Sequence, residues 1–269
     1  MARHPRQRNA TEVSTEGDDR QFVTALARGL QVLQAFSVGD DCLTNLELSN
    51  RTGLPKPTIS RLTHTLARLG YLAQDCAGPG YRLQPHILTL GYPVLTQIGV
   101  RQVIRPLLQE IATAEGVTAA IAARDGLHMI FVERLRAPEF AALEQDVGTR
   151  VPIATTAIGR AFLAGLPEAE RTALLEEVRV SGLPEWWPQI RADVEREMAR
   201  FDAKAYCFGG GWNSELTGVA VPLALRNRRL VSIACHGPRA RLPQERLEAI
   251  GERLKSIVRQ LEKMPVGDL

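Results

Sequence analysis

The stretch that most constrains this chain runs from Leu43 to Arg82, where two short amphipathic segments are divided by a glycine and followed by a Gly-Pro-Gly turn. Thr44 with Glu47 three residues later is a capping box, so a helix is expected to start there. Leu46 and Leu48 are its apolar residues, and Gly53 ends it as a glycine at a helix C-terminus does. A second helix follows, with Pro55 and Pro57 in its first turn, the place where a helix tolerates proline. Its apolar residues Ile59, Leu62, Leu66 and Leu69 recur at helical spacing. At about 100° per residue, these four fall on one side. Pro57, Ser60, Arg61, His64 and Arg68 fall on the other, with Thr58 at the edge near the helix start.

Helix, glycine turn and a second helix with a basic, hydroxylic outer face spell a helix-turn-helix whose second helix reads the major groove of double-stranded DNA. Arginine and serine reach base edges there, while Thr58 and the helix N-terminus suit a phosphate. The DNA-contacting set read from this pattern is Lys56, Pro57, Thr58, Ser60, Arg61, His64 and Arg68. Arg82 joins it from a wing, because Gly78-Pro79-Gly80 turns the chain between two short apolar segments within Ala73–Gln84. From Arg51 to Arg82 five basic residues face the single acid Asp75, a net +4 against +3 for the whole chain. The basic character is therefore a local patch rather than a global field.

A length of 269 residues suits two domains, and a hydrophobic fraction of 45% suffices for their cores. Four widely spaced cysteines (Cys42, Cys76, Cys207, Cys235) form no CxxC pair and no Cys/His cluster, so no metal and no cofactor is expected. They point to reduced thiols in the cytoplasm. No apolar run is long enough to span a bilayer, and the N-terminus lacks the core of a signal peptide.

Residues 1–20 are polar and read as a disordered tail. Phe22, Leu26, Leu30, Leu33 and Phe36 predict a helix flooring a DNA-binding domain of residues 21–84. Residues 85–99 are too apolar for a free linker and predict a helix kinked near Gly91 and Pro93 that serves dimerisation. Residues 100–265 form the remaining domain. A helix over Val100–Glu115 precedes strands at Val117–Ala123 and Leu127–Leu135 around the turn signal Asp125-Gly126. A short strand is expected at Phe140–Leu143. Helices follow at Ala157–Leu166, capped by Thr155 or Thr156, at Pro167–Val178 and at Trp187–Ala203. Strands at Ala205–Phe208, Val219–Leu225 and Leu230–Cys235 precede a closing helix at Pro243–Lys263. The fold class is α+β with a mostly antiparallel sheet.

These residues resemble the IclR-type family of bacterial transcription regulators. The resemblance is carried by Leu54-Pro55-Lys56-Pro57-Thr58-Ile59-Ser60-Arg61-Leu62, Leu69-Gly70-Tyr71-Leu72 and Tyr81-Arg82-Leu83. Further along it rests on Pro152-Ile153-Ala154-Thr155-Thr156-Ala157-Ile158-Gly159-Arg160-Ala161, Val221-Pro222-Leu223 and Gly237-Pro238. It implies an N-terminal winged helix-turn-helix, a linker helix used in dimerisation, and a C-terminal GAF-like domain that binds a small organic, often aromatic, acid. It also implies a homodimer or homotetramer. Two positions depart from the family pattern: Ala205, where glycine is usual before the tyrosine, and His236, where a small residue is usual.

The residues themselves point to one place for an effector. A helix N-terminus after Thr155-Thr156 offers unpaired N–H groups and a positive dipole end, suited to a carboxylate. The expected effector site comprises Met129, Leu143, Thr155, Thr156, Ala157, Ile158, Cys207, Ala234 and His236. Trp186, Trp187 and Trp212 read as packing, and Tyr206 stays open between packing and the site. Two other function classes compete with an effector-controlled, non-enzymatic regulator. A thiol redox sensor would use Cys207 and Cys235 and needs their Cα atoms within about 7 Å. An enzyme with a DNA-binding head needs an oriented base beside a nucleophile. Cys235 and His236 are adjacent on a strand and point to opposite faces, and no nucleotide-binding or nucleophile-elbow motif is present.

Overall fold

The computed structural model describes residues 21–37, 39–74, 77–136, 146–181, 184–210, 215–225 and 229–263, so Trp212 lies outside them. The expected tail at residues 1–20 and the strand at Phe140–Leu143 lie outside them. The chain divides into two compact units, residues 1–97 and 98–269. The helix expected to link the domains groups with the first.

The first unit holds α1 (Thr24–Gln34), β1 (Leu43–Thr44), α2 (Asn45–Thr52), α3 (Lys56–Arg68), β2 (Leu72–Ala73), β3 (Gly80–Leu83) and, after a 3-10 turn, α4 (Leu88–Thr96). The capping box is formed in full: Thr44 Oγ1 accepts from the Glu47 N–H, and the Glu47 carboxylate accepts from the Thr44 N–H at 2.8 Å. Gly53 takes the left-handed conformation, φ 73°, that ends α2 and turns the chain into α3. The core is Val32, Leu43, Leu48, Ile59, Leu66, Leu72 and Tyr81.

Two expectations about this core change. In α1 the fully buried residue is Val32, with Leu33 and the following Phe36 partly buried against the core as expected, while Phe22, Leu26 and Leu30 are exposed, Leu26 by 62%. In α3 the buried positions are Ile59, Thr63 and Leu66, and Leu69 is 59% exposed. Thr63 is accepted inside because its hydroxyl donates to Ile59 O at 2.9 Å. The result is an apolar groove between α1 and α3 lined by Leu26, Leu30, Leu62 and Leu69. The wing gains a strand from the residues at the start of α2. β1 pairs with β3 (Leu43↔Tyr81), which also pairs with β2 (Leu72↔Leu83), giving the order β1-β3-β2. Cys42, next to β1, is disulfide-bonded, so the expectation of reduced thiols throughout does not hold there.

The second unit contains α5 (Val100–Glu115), β4 (Thr118–Asp125), β5 (His128–Arg136), β6 (Arg150–Pro152), α6 (Ala157–Gly165), α7 (Glu168–Ser181), α8 (Trp187–Lys204), β7 (Cys207–Gly209), β8 (Leu216–Ala224), β9 (Leu230–Pro238) and α9 (Gln244–Glu262). Its sheet is antiparallel, in the order β6-β5-β4-β9-β8-β7. This is an α+β domain, as expected. The helices α5 and α9 pack on one face of the sheet, and α6 on the other, backed by α8. Alternation assigns the side chains: Ala120, Ala122, Ala220, Ala234 and Cys207 join the α6 cluster.

One irregularity decides what that face carries. The β4–β5 ladder slips between Ile121 and Ala122, so that Ile121 faces Glu133 and Ala122 faces Phe131, with Val132 as the extra residue. Simple alternation from Met129 would put Glu133 beside Phe131. The bulge instead sends Glu133 to the α5 face, where Arg101 and Arg105 bind its buried carboxylate. Arg134 and Arg136 turn to the α6 face.

Ala205 ends α8 in the left-handed conformation, φ 61°, and is the one non-glycine residue with positive φ among the described residues. An L side chain is strained there, which is the physical reason for the glycine that the resemblance led one to expect at this place. Ala205→Gly is expected to raise stability by about 0.5–1 kcal/mol, the relief of that strain less the added freedom of the unfolded chain. Urea denaturation of the full chain checks this; an unchanged or lowered midpoint would contradict it.

Candidate nucleic-acid interface and effector site

The turn between α2 and α3 is held by side chains. Ser49 Oγ donates to Leu54 O at 2.7 Å, and the Leu54 N–H donates to Thr52 Oγ1 at 3.2 Å. With α3 held in this way, Lys56, Pro57, Ser60, Arg61, His64 and Arg68 are all exposed on its outer side, and Thr58 is half-buried. Arg82 is exposed on β3, across from Ala73 of the wing. Arg51 is tied elsewhere: its guanidinium binds the Asp40 carboxylate and donates to Ala35 O at 3.0 Å. This hydrogen bond holds the Asp40 carboxyl below the usual carboxylate range. Arg51 therefore joins α2 to the end of α1.

In the second unit, α6 starts on top of a sheet edge. Thr156 is its N-cap: Oγ1 accepts from the Gly159 N–H at 3.2 Å and donates to Pro152 O at 2.8 Å. Among the described residues no acceptor binds the Ala157 or Ile158 N–H, as expected for the first turn of a helix. A Cβ placed on Gly209 would lie 2.2 Å from Ala157 N, so glycine is required there for the helix to approach.

The ladder registers lay out the surface facing α6. One row across the strands reads Arg136, Thr118, His236, Gly218, Gly209, and the next reads Arg134, Ala120, Ala234, Ala220, Cys207. Phe131, Ala122 and Ser232 follow. His236 fits because its neighbour is Gly218; a Cβ there would lie 2.9 Å from the His236 Cβ. The imidazole stacks on Phe131, ring centroids 6.1 Å apart and 18° from parallel. The Arg134 guanidinium lies 5.0 Å over the same ring, and its Nη2 is 2.9 Å from His236 Nε2. A guanidinium only donates, so this Nε2 is the acceptor and the imidazole is neutral. Burial, then the charges of Arg134 and Arg136, push the His236 pKa down to about 3. Burial and the neighbouring Arg136 lower Arg134 itself to about 10. Three hydroxyl oxygens, Thr118 Oγ1, Thr155 Oγ1 and Ser232 Oγ, are buried without a partner among the described residues.

Of the residues expected at the effector site, Thr155, Thr156, Ala157, Ile158, Cys207, Ala234 and His236 converge here. Met129 is fully buried one ladder position beyond Phe131, and Leu143 lies outside the described residues. Sequence reasoning missed Arg134, Arg136, Thr118 and Phe131. The arginines were hidden by the bulge; Thr118 needed only the strand alternation from Ala120. Tyr206 faces away, stacked on Phe208 and seated on Gly251 of α9. The redox alternative does not survive the register. Cys207 pairs with Ala220 and Cys235 with Val219, so the thiols lie two strands apart on opposite faces, at about 10 Å. Both are free and buried, and burial raises both thiol pKa values, that of Cys235 to about 12. Neither is a ready thiolate.

A winged helix-turn-helix with an outward basic recognition helix, followed in one chain by a six-stranded antiparallel domain, defines a DNA-binding transcriptional regulator. Residues 25–75 match the IclR helix-turn-helix domain, and residues 92–263 match the C-terminal domain of the bacterial transcriptional regulator IclR. The chain belongs to the IclR family. It is 31% identical over 269 residues to the HTH-type transcriptional regulator TsaQ1/TsaQ2 of Comamonas testosteroni, covering 97% of this chain and 94% of that one. An IclR family transcriptional regulator from Brucella abortus, solved by crystallography, is 42% identical, with a TM-score of 0.75 over 96% of this chain and 98% of that one. An IclR homologue from Microbacterium hydrocarbonoxydans, crystallised with 4-hydroxybenzoate, shares the fold at 23% identity and a TM-score of 0.70, over 90% of this chain and 100% of that one.

The neutral His236 has a pH signature. Its pKa is about 3 in the fold against an ordinary 6.5, so between these values the unfolded chain binds more protons. The stability from keeping it neutral is complete above pH 6.5 and is lost as pH falls toward 3. Wild type is expected to lose up to about 1.4 kcal/mol per pH unit more than His236→Gln in this window. Urea midpoints at pH 7.5 and 5 check it; equal slopes would contradict it.

Proposed function

We propose that this regulator binds double-stranded operator DNA as a homodimer and that a small organic acid in the second unit sets its DNA affinity. On DNA, Arg61 and Ser60 address base edges, with Lys56, Pro57, Thr58, His64 and Arg68 around them and Arg82 on the wing. The acid's carboxylate docks on the Ala157 and Ile158 N–H groups, which have a helix dipole behind them. The observation that carries this reading is the start of α6. Its cap serves the Gly159 N–H and leaves the preceding two without an acceptor among the described residues, beside a sheet face of alanines and glycines. The homologue crystallised with 4-hydroxybenzoate supports an acid of this size on the same fold.

The exposed apolar residues of α1 and α4, among them Leu26, Leu30, Leu88, Leu90, Tyr92 and Val94, support a second copy as partner. Exposed apolar residues repeated along a helix suit burial against a partner. A symmetric dimer reads an inverted repeat with half-sites about one helical turn apart, or a multiple of it.

The test selects an operator from a random-sequence library and follows it by fluorescence anisotropy. Arg61→Ala is expected to lose about 1–3 kcal/mol of binding and to relax one base position. Full-strength, selective binding by this variant would remove Arg61 from the interface. Thr156→Asp keeps a side chain able to cap α6 but sets a like charge at the anion site. It is expected to bind operator normally and to lose the acid response. A normal response would place the acid elsewhere.

A further inference from the structure

We propose that Glu133 is the positioning residue through which the effector site acts on DNA binding: its carboxylate clamps the first turns of α5 to β5, and an acid seated at α6 shifts that clamp. The inference rests on the α6 reading above and adds its regulation. Glu133 is 5% exposed, on the α5 face of β5. Arg101 Nε donates to its Oε2, and Arg105 Nη1 donates to its Oε1 at 3.2 Å. The two arginines are four residues apart, hence on one side of the helix, and the two oxygens of one carboxylate hold both. A buried carboxylate left without them would be costly, so strand and helix move together. α5 packs on β4 and β5 and starts at Val100, two residues after the second unit begins at Ile98. A shift of its first turns therefore acts at the covalent junction of the two units.

Hydrogen bonds lead from the start of α6 to this carboxylate. Thr156, the cap of α6, donates to Pro152 O at 2.8 Å, at the end of β6. Just before β6, Thr149 O accepts from the Phe131 N–H at 3.0 Å, and the Gly148 N–H donates to Phe131 O at 2.8 Å. Phe131 is two residues before Glu133, and Val132 between them is the bulged residue, without a partner in the β4 ladder. A bulge interrupts the ladder and lets the strand bend. A displacement of the α6 start is passed along β6 to Phe131 and taken up at the bulge, beside Glu133, rather than spread over the sheet. An acid changes operator affinity only by binding two arrangements of the protein unequally, and the seat of α5 on Glu133 is where those arrangements differ.

The test measures affinity for the selected operator by anisotropy, at zero and saturating benzoate, 4-hydroxybenzoate or hexanoate, for wild type and Glu133→Gln. Glutamine keeps the size of the side chain but offers one acceptor oxygen in place of two, so the two-point clamp is lost. Wild type is expected to change affinity by a factor of roughly 5–150 with at least one of these acids. In Glu133→Gln that factor should fall to about one. Calorimetric affinity for the acid, and operator affinity without acid, should stay within about threefold of wild type. A merely structural role would move these affinities or the urea midpoint and not the factor alone. Should Glu133→Gln fail to fold, Arg105→Gln removes one arm, from a side chain that is 59% exposed. It is expected to lower the factor and leave both affinities in place. A factor unchanged in the variant that folds, or one that falls only together with either affinity, would overturn the inference. If the factor survives there and is lost in Thr156→Asp, the α6 reading stands and only Glu133 falls. If wild type binds none of the three acids, or binds one with no change in operator affinity, both fall.

Discussion

The second domain depends on one close approach, the start of α6 against the backbone of β7. With Ala157 N only 2.2 Å from where a Cβ on Gly209 would be, the helix cannot seat unless that position is glycine. Once seated, it covers the alanine-lined half of the sheet, with Phe162 and Leu163 in the core, and its first turn faces His236 from two strands away. Gly159 makes the complementary allowance, because a Cβ there would lie 2.0 Å from Ile153 O. The same tight packing that stabilises the domain therefore positions its unpaired N–H groups.

The sheet adds the charge. An arginine pair and a neutral histidine on the face toward α6 are unusual company for a row of alanines. They stand there because one extra residue in β5 reverses the alternation after Phe131. Each face carries its own partners: Arg136 pairs with Asp146 at 3.8 Å on this one, and Glu133 is neutralised by two arginines of α5 on the other. Burying an acid on that side and a base on this one from adjacent positions of one strand requires the bulge and the partners together. Half of the arrangement would leave an uncompensated charge.

What the sequence disclosed follows from range. The capping box, the stop at Gly53, the prolines opening α3 and the Thr156 cap are local devices, readable over four residues, and each is formed. The outer face of α3 followed from rotation alone. The inward side of α1 did not, because Leu26 and Leu30 satisfy helical spacing as well as Val32 does, and only packing against α3 tells them apart. The bulge at Val132 depends on a partner strand, and so does the distance between Cys207 and Cys235. Thus the start of α6 was visible beforehand, and the arginines facing it were not.

The central claim is that acid binding in one unit and DNA binding in the other are linked. Such coupling is reciprocal: whatever factor the acid imposes on operator affinity, the operator imposes on acid affinity. The direct measurement titrates operator DNA by anisotropy at zero and saturating acid, and titrates the same acid by calorimetry with and without saturating DNA. Equal factors, different from one, are the predicted result. An acid that binds the protein and leaves operator affinity unchanged would contradict the account.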